Sequence, residues 1–180
     1  MIRLNLPEKI ETERLLLSRL KYEDAEEIFY SYASKPEATR YLAFPTHQSV
    51  QDARNFLSYS VDAWDKGIEL VYGIRLRGNN KFIGSIGVIN ENGKVHFGYC
   101  LSPNYWNQGL ATESCRAVIG LLKMQSDIHR IWTFIDAENV ASGRVIEKCG
   151  LVEEARLTKW FRFINQDNTP KDCIVYILKK

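Results

Sequence analysis

The sequence predicts one mixed α+β domain around a mostly antiparallel, twisted sheet of about six or seven strands, with about four helices. Two observations carry this. Between residues 70 and 101, three β-rich runs are separated by Gly78-Asn79-Asn80 and by Asn92-Gly93. Around them lie stretches with apolar residues at helical spacing, and no repeat, low-complexity tract or Gly/Ser linker divides the chain. The length agrees, since 180 residues, 45% of them apolar, suit a single domain spanning 1–180.

Leu15-Leu16-Leu17 is a short apolar run that suits a buried strand. Residues 24–32 read as a short helix with Ala25, Ile28, Phe29 and Tyr32 at helical spacing. A second helix opens at Ser49, with Asp52 three positions on as a capping partner. Ala53, Phe56, Leu57, Ser60, Val61 and Trp64 share its face, and Gly67 ends it. Strands follow over 70–76, 82–89 and 95–101. Asn-Gly between two β-rich runs is a strong hairpin signal, so these three form an antiparallel meander. Pro103 stops the third strand. A long helix follows, with Ala111, Cys115, Val118, Ile119 and Leu122 as its apolar stripe. A strand at 131–135, a helix at 141–149 stopped by Gly150, and strands at 156–164 and 173–178 complete the order. The last loop holds Asn165, Asn168 and Pro170.

Twenty-four basic and 22 acidic residues leave a formal charge of +2. That balance excludes a bulk electrostatic grip on nucleic acid or anionic membrane, though a local basic patch stays open. No stretch approaches the roughly 20 apolar residues of a membrane span, and residues 1–13 lack the apolar core of a signal peptide. A cytoplasmic protein is expected. Cys100, Cys115, Cys149 and Cys173 are scattered in apolar surroundings and suit reduced, buried thiols. His47, His96 and His129 lack metal-ligand spacing, so no metal is expected.

Two segments could carry chemistry. In the first, 101–112, a strand ends, a loop carries Gly109, and a helix begins. Unpaired N–H groups at a helix start suit a pyrophosphate. Neither a phosphate loop with Gly-Lys-Ser/Thr nor a three-glycine dinucleotide fingerprint is present, and an ordinary strand-to-helix loop reads equally well. In the second, Asn139 opens a helix with Ser142 three residues on, the spacing of a simple cap.

Together the segments are recognisable. Pro103-x-x-Trp106-Asn107-Gln108-Gly109-Leu110-Ala111-Thr112-Glu113, then Asn139-x-x-Ser142-x-x-Val145-Ile146-Glu147-Lys148-Cys149-Gly150-Leu151, resembles the GNAT superfamily of acetyl-CoA-dependent N-acetyltransferases. Within it, the chain is similar to the ribosomal-protein N-terminal (Rim-type) branch, whose start Ile10-Glu11-Thr12-Glu13-Arg14-Leu15-Leu16-Leu17 matches as well. The resemblance implies a sheet splayed at the strand ending Tyr99-Cys100-Leu101, where the pantetheine arm of acetyl-CoA pairs like an extra strand. It implies that the backbone of Asn107, Gln108, Gly109, Leu110, Ala111 and Thr112 wraps the pyrophosphate. The N–H of Tyr99 or Cys100 would face the thioester carbonyl, Asn139 would bond the pantetheine, and Ser142 would face the departing sulfur. Arg144 reaches the phosphates or lies on a solvated face. Trp106 stands where the wider family has Arg or Gln.

Acetyl transfer needs a neutral amine. Many relatives carry Glu two residues before Gly-Tyr; this chain has His96, a base or a structural strand residue, with Glu69 as the other candidate. Tyr41, Phe44, Trp64 and Trp160 are expected to line an acceptor groove between the first two helices and the last hairpin. The run Trp160-Phe161-Arg162-Phe163 also permits base stacking, which the charge disfavours. The implied reaction is direct transfer in a ternary complex to an amine, a protein N-terminus by the branch resemblance. The alternatives are a small-molecule, polyamine or antibiotic acceptor, and a non-catalytic acetyl-CoA-binding module. Relatives are often monomers or dimers, so the resemblance implies a monomer or homodimer.

Overall fold

The computed structural model describes residues 2–179; Met1 and Lys180, the ends of the expected domain, lie outside the described residues. Eight strands form one sheet: β1 (Lys9–Glu11), β2 (Leu15–Arg19), β3 (Glu69–Leu76), β4 (Phe82–Glu91), β5 (Lys94–Leu101), β6 (Arg130–Asp136), β7 (Leu151–Arg162) and β8 (Pro170–Leu178). Five α-helices accompany them: α1 (Ala25–Ile28), α2 (Pro36–Thr39), α3 (Val50–Asp65), α4 (Leu110–Lys123) and α5 (Val140–Lys148). The sheet order is β1-β2-β3-β4-β5-β6-β8-β7. Strand β1 and helix α2 exceed the expected count; three and four residues are too few to show a period.

The meander of β3, β4 and β5 forms as expected, and Asn92 and Gly93 both take positive φ, 54° and 90°, as a tight right-twisting hairpin requires. The expected 24–32 helix is broken. Its α-helical part is α1, and Phe29–Ala33 widens into a π-type turn that buries Tyr32 and Ala33. Helix α3 starts after Ser49, where the Asp52 carboxylate accepts the Gln48 and Ser49 N–H groups at 2.8 and 2.9 Å. Its buried face is Ala53, Leu57, Ser60, Ala63 and Trp64. Strand β7 starts five residues before the expected 156, because a largely exposed edge strand shows little apolar alternation.

Alternation of side chains divides the sheet's residues between two apolar clusters. On one face Leu70, Tyr72, Ile86, Val88, Val95, Phe97 and Leu101 pack with Cys115, Val118, Ile119 and Leu122 of α4 and Ile146 of α5. On the other, Val71 and Cys100 pack with Ala25 and Ile28 of α1, Tyr32 of the π-type turn, and Ala53 and Leu57 of α3. Each fully buried Leu or Ile contributes roughly 1.5–3 kcal/mol.

All pairings are antiparallel except β5 with β6, which the α4 crossover makes parallel. That pairing covers only Lys94↔Arg130, Val95↔Ile131 and His96↔Trp132. Beyond it the two strands part, with one side-chain link from the Thr133 hydroxyl to the Phe97 carbonyl at 2.7 Å.

Candidate functional site

The parting of β5 from β6 opens a cleft, and the loop after β5 lies at one end of it. Pro103 starts a single 3₁₀ turn, and Trp106 ties the loop back by donating its indole N–H to the Leu101 carbonyl at 2.9 Å. Asn107 and Gly109 then take left-handed φ of 58° and 77°, with Gly109 capping α4. The backbone N–H groups of residues 107–112 find no protein acceptor among the described residues. This is a concave array of donors at the positive end of a 14-residue helix, suited to an anion.

A clamp from the start of β2 braces this loop, and sequence reasoning missed it. The Glu113 carboxylate accepts the Thr12 hydroxyl at 2.6 Å, the Arg14 N–H at 2.8 Å and Arg14 Nε at 2.7 Å. Burial opposes its charge, but the bonds from Thr12 and Arg14 prevail and hold the carboxyl below its ordinary range. Arg14 Nη1 also donates to the Gln108 carbonyl at 2.9 Å. Both partners stand inside the quoted motifs; their contact is long-range and leaves no spacing signal.

At the other end of the cleft, Tyr99 and Ser142 meet. The Tyr99 hydroxyl donates to Ser142 Oγ at 3.3 Å. Burial, chiefly, pushes the Tyr99 phenol upward, so it stays protonated and serves as a donor. Asn139 caps α5, its Oδ1 accepting the Ser142 N–H at 3.3 Å. Arg144 is exposed on the outer side of α5.

The opposite face of β5 is different. The register lines up Val71, Gly87 and Gly98 across β3, β4 and β5. Gly98 is exposed, and a Cβ there would meet nothing within 4 Å. Gly87 and Gly98 therefore make a bare patch on the sheet floor, which no local motif signals. The next row is Glu69, Ile89, His96 and Trp132. Glu69 and His96, two strands apart, are about 10 Å from each other. Burial lowers the His96 pKa, so the imidazole stays neutral further into acid; Nδ1 has no partner among the described residues. Burial raises the Glu69 carboxyl above its ordinary range. Trp132 Nε1 is also unpartnered.

An aromatic wall extends from this floor. His96 and Trp132 ring centres lie 5.2 Å apart, Trp132 and Phe134 6.3 Å, and Phe134 and Trp160 4.8 Å edge-on. Across the floor, Phe44 stacks on Phe56 at 6.1 Å. Asn165 bridges the two sides, accepting the Thr46 N–H at 2.9 Å and donating to the Thr39 and Phe44 carbonyls at 2.8 and 2.9 Å. Tyr41 is half-buried in the same segment, beneath the Arg40 guanidinium. Trp64 stands apart, packed edge-on against Tyr72 at 4.9 Å in the core.

Cys100 donates to the Ala38 carbonyl at 3.4 Å, and burial pushes its thiol up to about 12, which suits packing rather than nucleophilic attack. Cys149, at the end of α5, donates to the Thr112 carbonyl of α4 at 3.7 Å. Among the described residues, no group of three or more His, Cys, Asp or Glu could hold a metal ion, and no helix is long and apolar enough to cross a membrane.

The acetyltransferase (GNAT) domain model matches residues 14–152. The Bacillus subtilis (strain 168) protein YoaA, described as an uncharacterized N-acetyltransferase, is 28% identical over 174 residues, covering 95% of this chain and 96% of its own. Two solved structures share the fold. Microcin C7 self-immunity acetyltransferase MccE in complex with acetyl-CoA and AMP superposes with a TM-score of 0.85 at 19% identity, over 96% of each chain. The ribosomal L7/L12 alpha-N-protein acetyltransferase RimL in complex with coenzyme A gives a TM-score of 0.85 at 18% identity, over 94% of this chain and 97% of RimL.

Proposed function

The chain belongs to the GNAT acetyltransferase family of N-acetyltransferases, and we propose that it transfers the acetyl group of acetyl-CoA directly to a protein N-terminal α-amine within a ternary complex. The observation that carries this reading is the run of unpaired amides at residues 107–112, beside the parted edge of β5. Acetyl-CoA supplies an activated thioester. The amides at the head of α4 bind its pyrophosphate, and the free edge of β5 pairs with the pantetheine arm. The N–H of Tyr99 or Cys100 stabilises the charge that develops on the thioester oxygen, a contribution of about 3 kcal/mol for such a donor. The amine nitrogen bonds to the acetyl carbon as the carbon–sulfur bond breaks. Ser142, oriented by the Tyr99 hydroxyl, donates to the departing sulfur. The amine's proton passes to His96, to Glu69 or to water, and the neutral imidazole of His96 is prepared to take it. No acyl-enzyme forms, in keeping with the buried, protonated Cys100 thiol. Likeness of fold to RimL, an alpha-N-protein acetyltransferase, supports the N-terminal acceptor.

The aromatic wall of Trp132, Phe134 and Trp160 favours a second acceptor class, a small amine carrying a flat ring. The AMP bound in the MccE structure carries such a ring. The test is thiol release from acetyl-CoA against N-terminal peptides, polyamines, aminoglycosides and aminoacyl nucleotides. Turnover on peptides alone supports the first acceptor class and turnover on aminoacyl nucleotides the second. Silence on every amine with acetyl-CoA bound overturns both in favour of a binding module.

A further inference from the structure

We propose that Arg14 is a direct ligand of the cofactor's pyrophosphate, presented by the β2 clamp alongside the amides of α4. The inference rests on the reading of residues 107–112 as the phosphate site. Two of the three guanidinium nitrogens are already committed: Nε to Glu113 at 2.7 Å and Nη1 to the Gln108 carbonyl at 2.9 Å. Nη2 has no protein acceptor among the described residues. It lies 3.5 Å from the point a Cβ would occupy at Gly109, beside the left-handed residue that turns the loop into α4.

The arrangement suits binding more than stability. Thr12 and the Arg14 N–H also donate to Glu113, so its charge is spread over several donors. A carboxylate in the first turn of α4 would otherwise compete with an incoming anion for the helix dipole. Held at two nitrogens, the planar fork has lost its rotamer freedom before the ligand arrives, and its remaining N–H groups stay free for phosphate oxygens. The side chain is 46% exposed, so an anion can reach it.

The test is calorimetric titration of wild type and Arg14→Ala with coenzyme A and with dephospho-coenzyme A, needing no acceptor. Phosphorus NMR of the bound coenzyme separates the pyrophosphate signals from the 3′-phosphate signal. The expected result is affinity about tenfold weaker for both coenzymes, the worth of one charged hydrogen bond. The pyrophosphate signals move and the 3′-phosphate signal stays. Arg14→Lys, which keeps a cation but not the fork, is expected to fall between and serves if the alanine variant does not fold. Unchanged affinity overturns the proposal, as does loss without any shift of the pyrophosphate signals. A loss confined to coenzyme A, with only the 3′-phosphate signal moving, also overturns it. Wild type that binds no coenzyme A overturns instead the phosphate-site reading beneath it.

Discussion

Toward β6, strand β5 offers an unpaired backbone edge past His96, and the loop beyond it offers six amides. Toward the first three helices, the same strand offers Gly98, which has no side chain, beside a row of Glu69, Ile89, His96 and Trp132. One side recognises through main chain, whose donors are the same whatever the sequence. The other is shaped by which side chains are present and which are missing. The first is suited to a cosubstrate common to a family, the second to an acceptor that differs between members.

The strongest way to break this contrast is at His96. His96→Gln is expected to lower kcat/KM about 1000-fold near neutral pH, in the range of a lost general base. Because burial lowers its pKa, wild-type activity should hold as pH falls past 6.5 and decline only below it; the variant should lose that acidic limb. A limb that survives His96→Gln and disappears in Glu69→Gln assigns the base to the carboxylate. Next is Gly98→Val. A Cβ there meets nothing within 4 Å, so melting temperature and coenzyme affinity should hold while acceptor kcat/KM falls about 100-fold. Unchanged acceptor kinetics would move the floor elsewhere.

On the main-chain side, the proposed reaction predicts that Ser142→Ala and Tyr99→Phe each lower kcat about tenfold with little change in the KM for acetyl-CoA. The double variant should be no worse than either, because one hydrogen bond links the pair. Additive losses would separate their roles. The smallest effect is Asn139→Ala, about 1 kcal/mol of stability from the lost cap. Asn139→Asp keeps the cap oxygen, so any weakening of coenzyme binding in that variant reports the missing amide N–H₂ together with the added negative charge.

The same contrast explains what the sequence disclosed. Gly109, Gly150 and Asn92-Gly93 announce themselves because a turn's chemistry is local, and each takes the positive φ it suggests. The loop after β5 and the starts of α4 and α5 were legible for that reason. Gly87 and Gly98 become one surface only through a register between strands, and Arg14 meets Glu113 only once β2 lies beside α4. Trp64 shows the converse: helical spacing puts it with Ala53 and Leu57 but cannot say that Tyr72 receives it. The 24–32 stretch has helical periodicity throughout, yet packing of Tyr32, whose hydroxyl shares a 2.7 Å bond with Ser85, goes with a wider turn.

The three-pair junction between β5 and β6 also falls at a division of the chain itself. Every strand before it in the sheet comes from residues 9–101 and every strand after it from 130–178. Within the sheet the molecule is thus two consecutive halves joined by a narrow hydrogen-bonded seam, crossed once by the chain through α4 and backed by the shared apolar cluster and the Asn165 bridge. Cut in the exposed turn at residues 124–127, it should behave as a complementation pair. A molecule lying along the seam would then act as mortar, and the reassembly of the two fragments would report its binding.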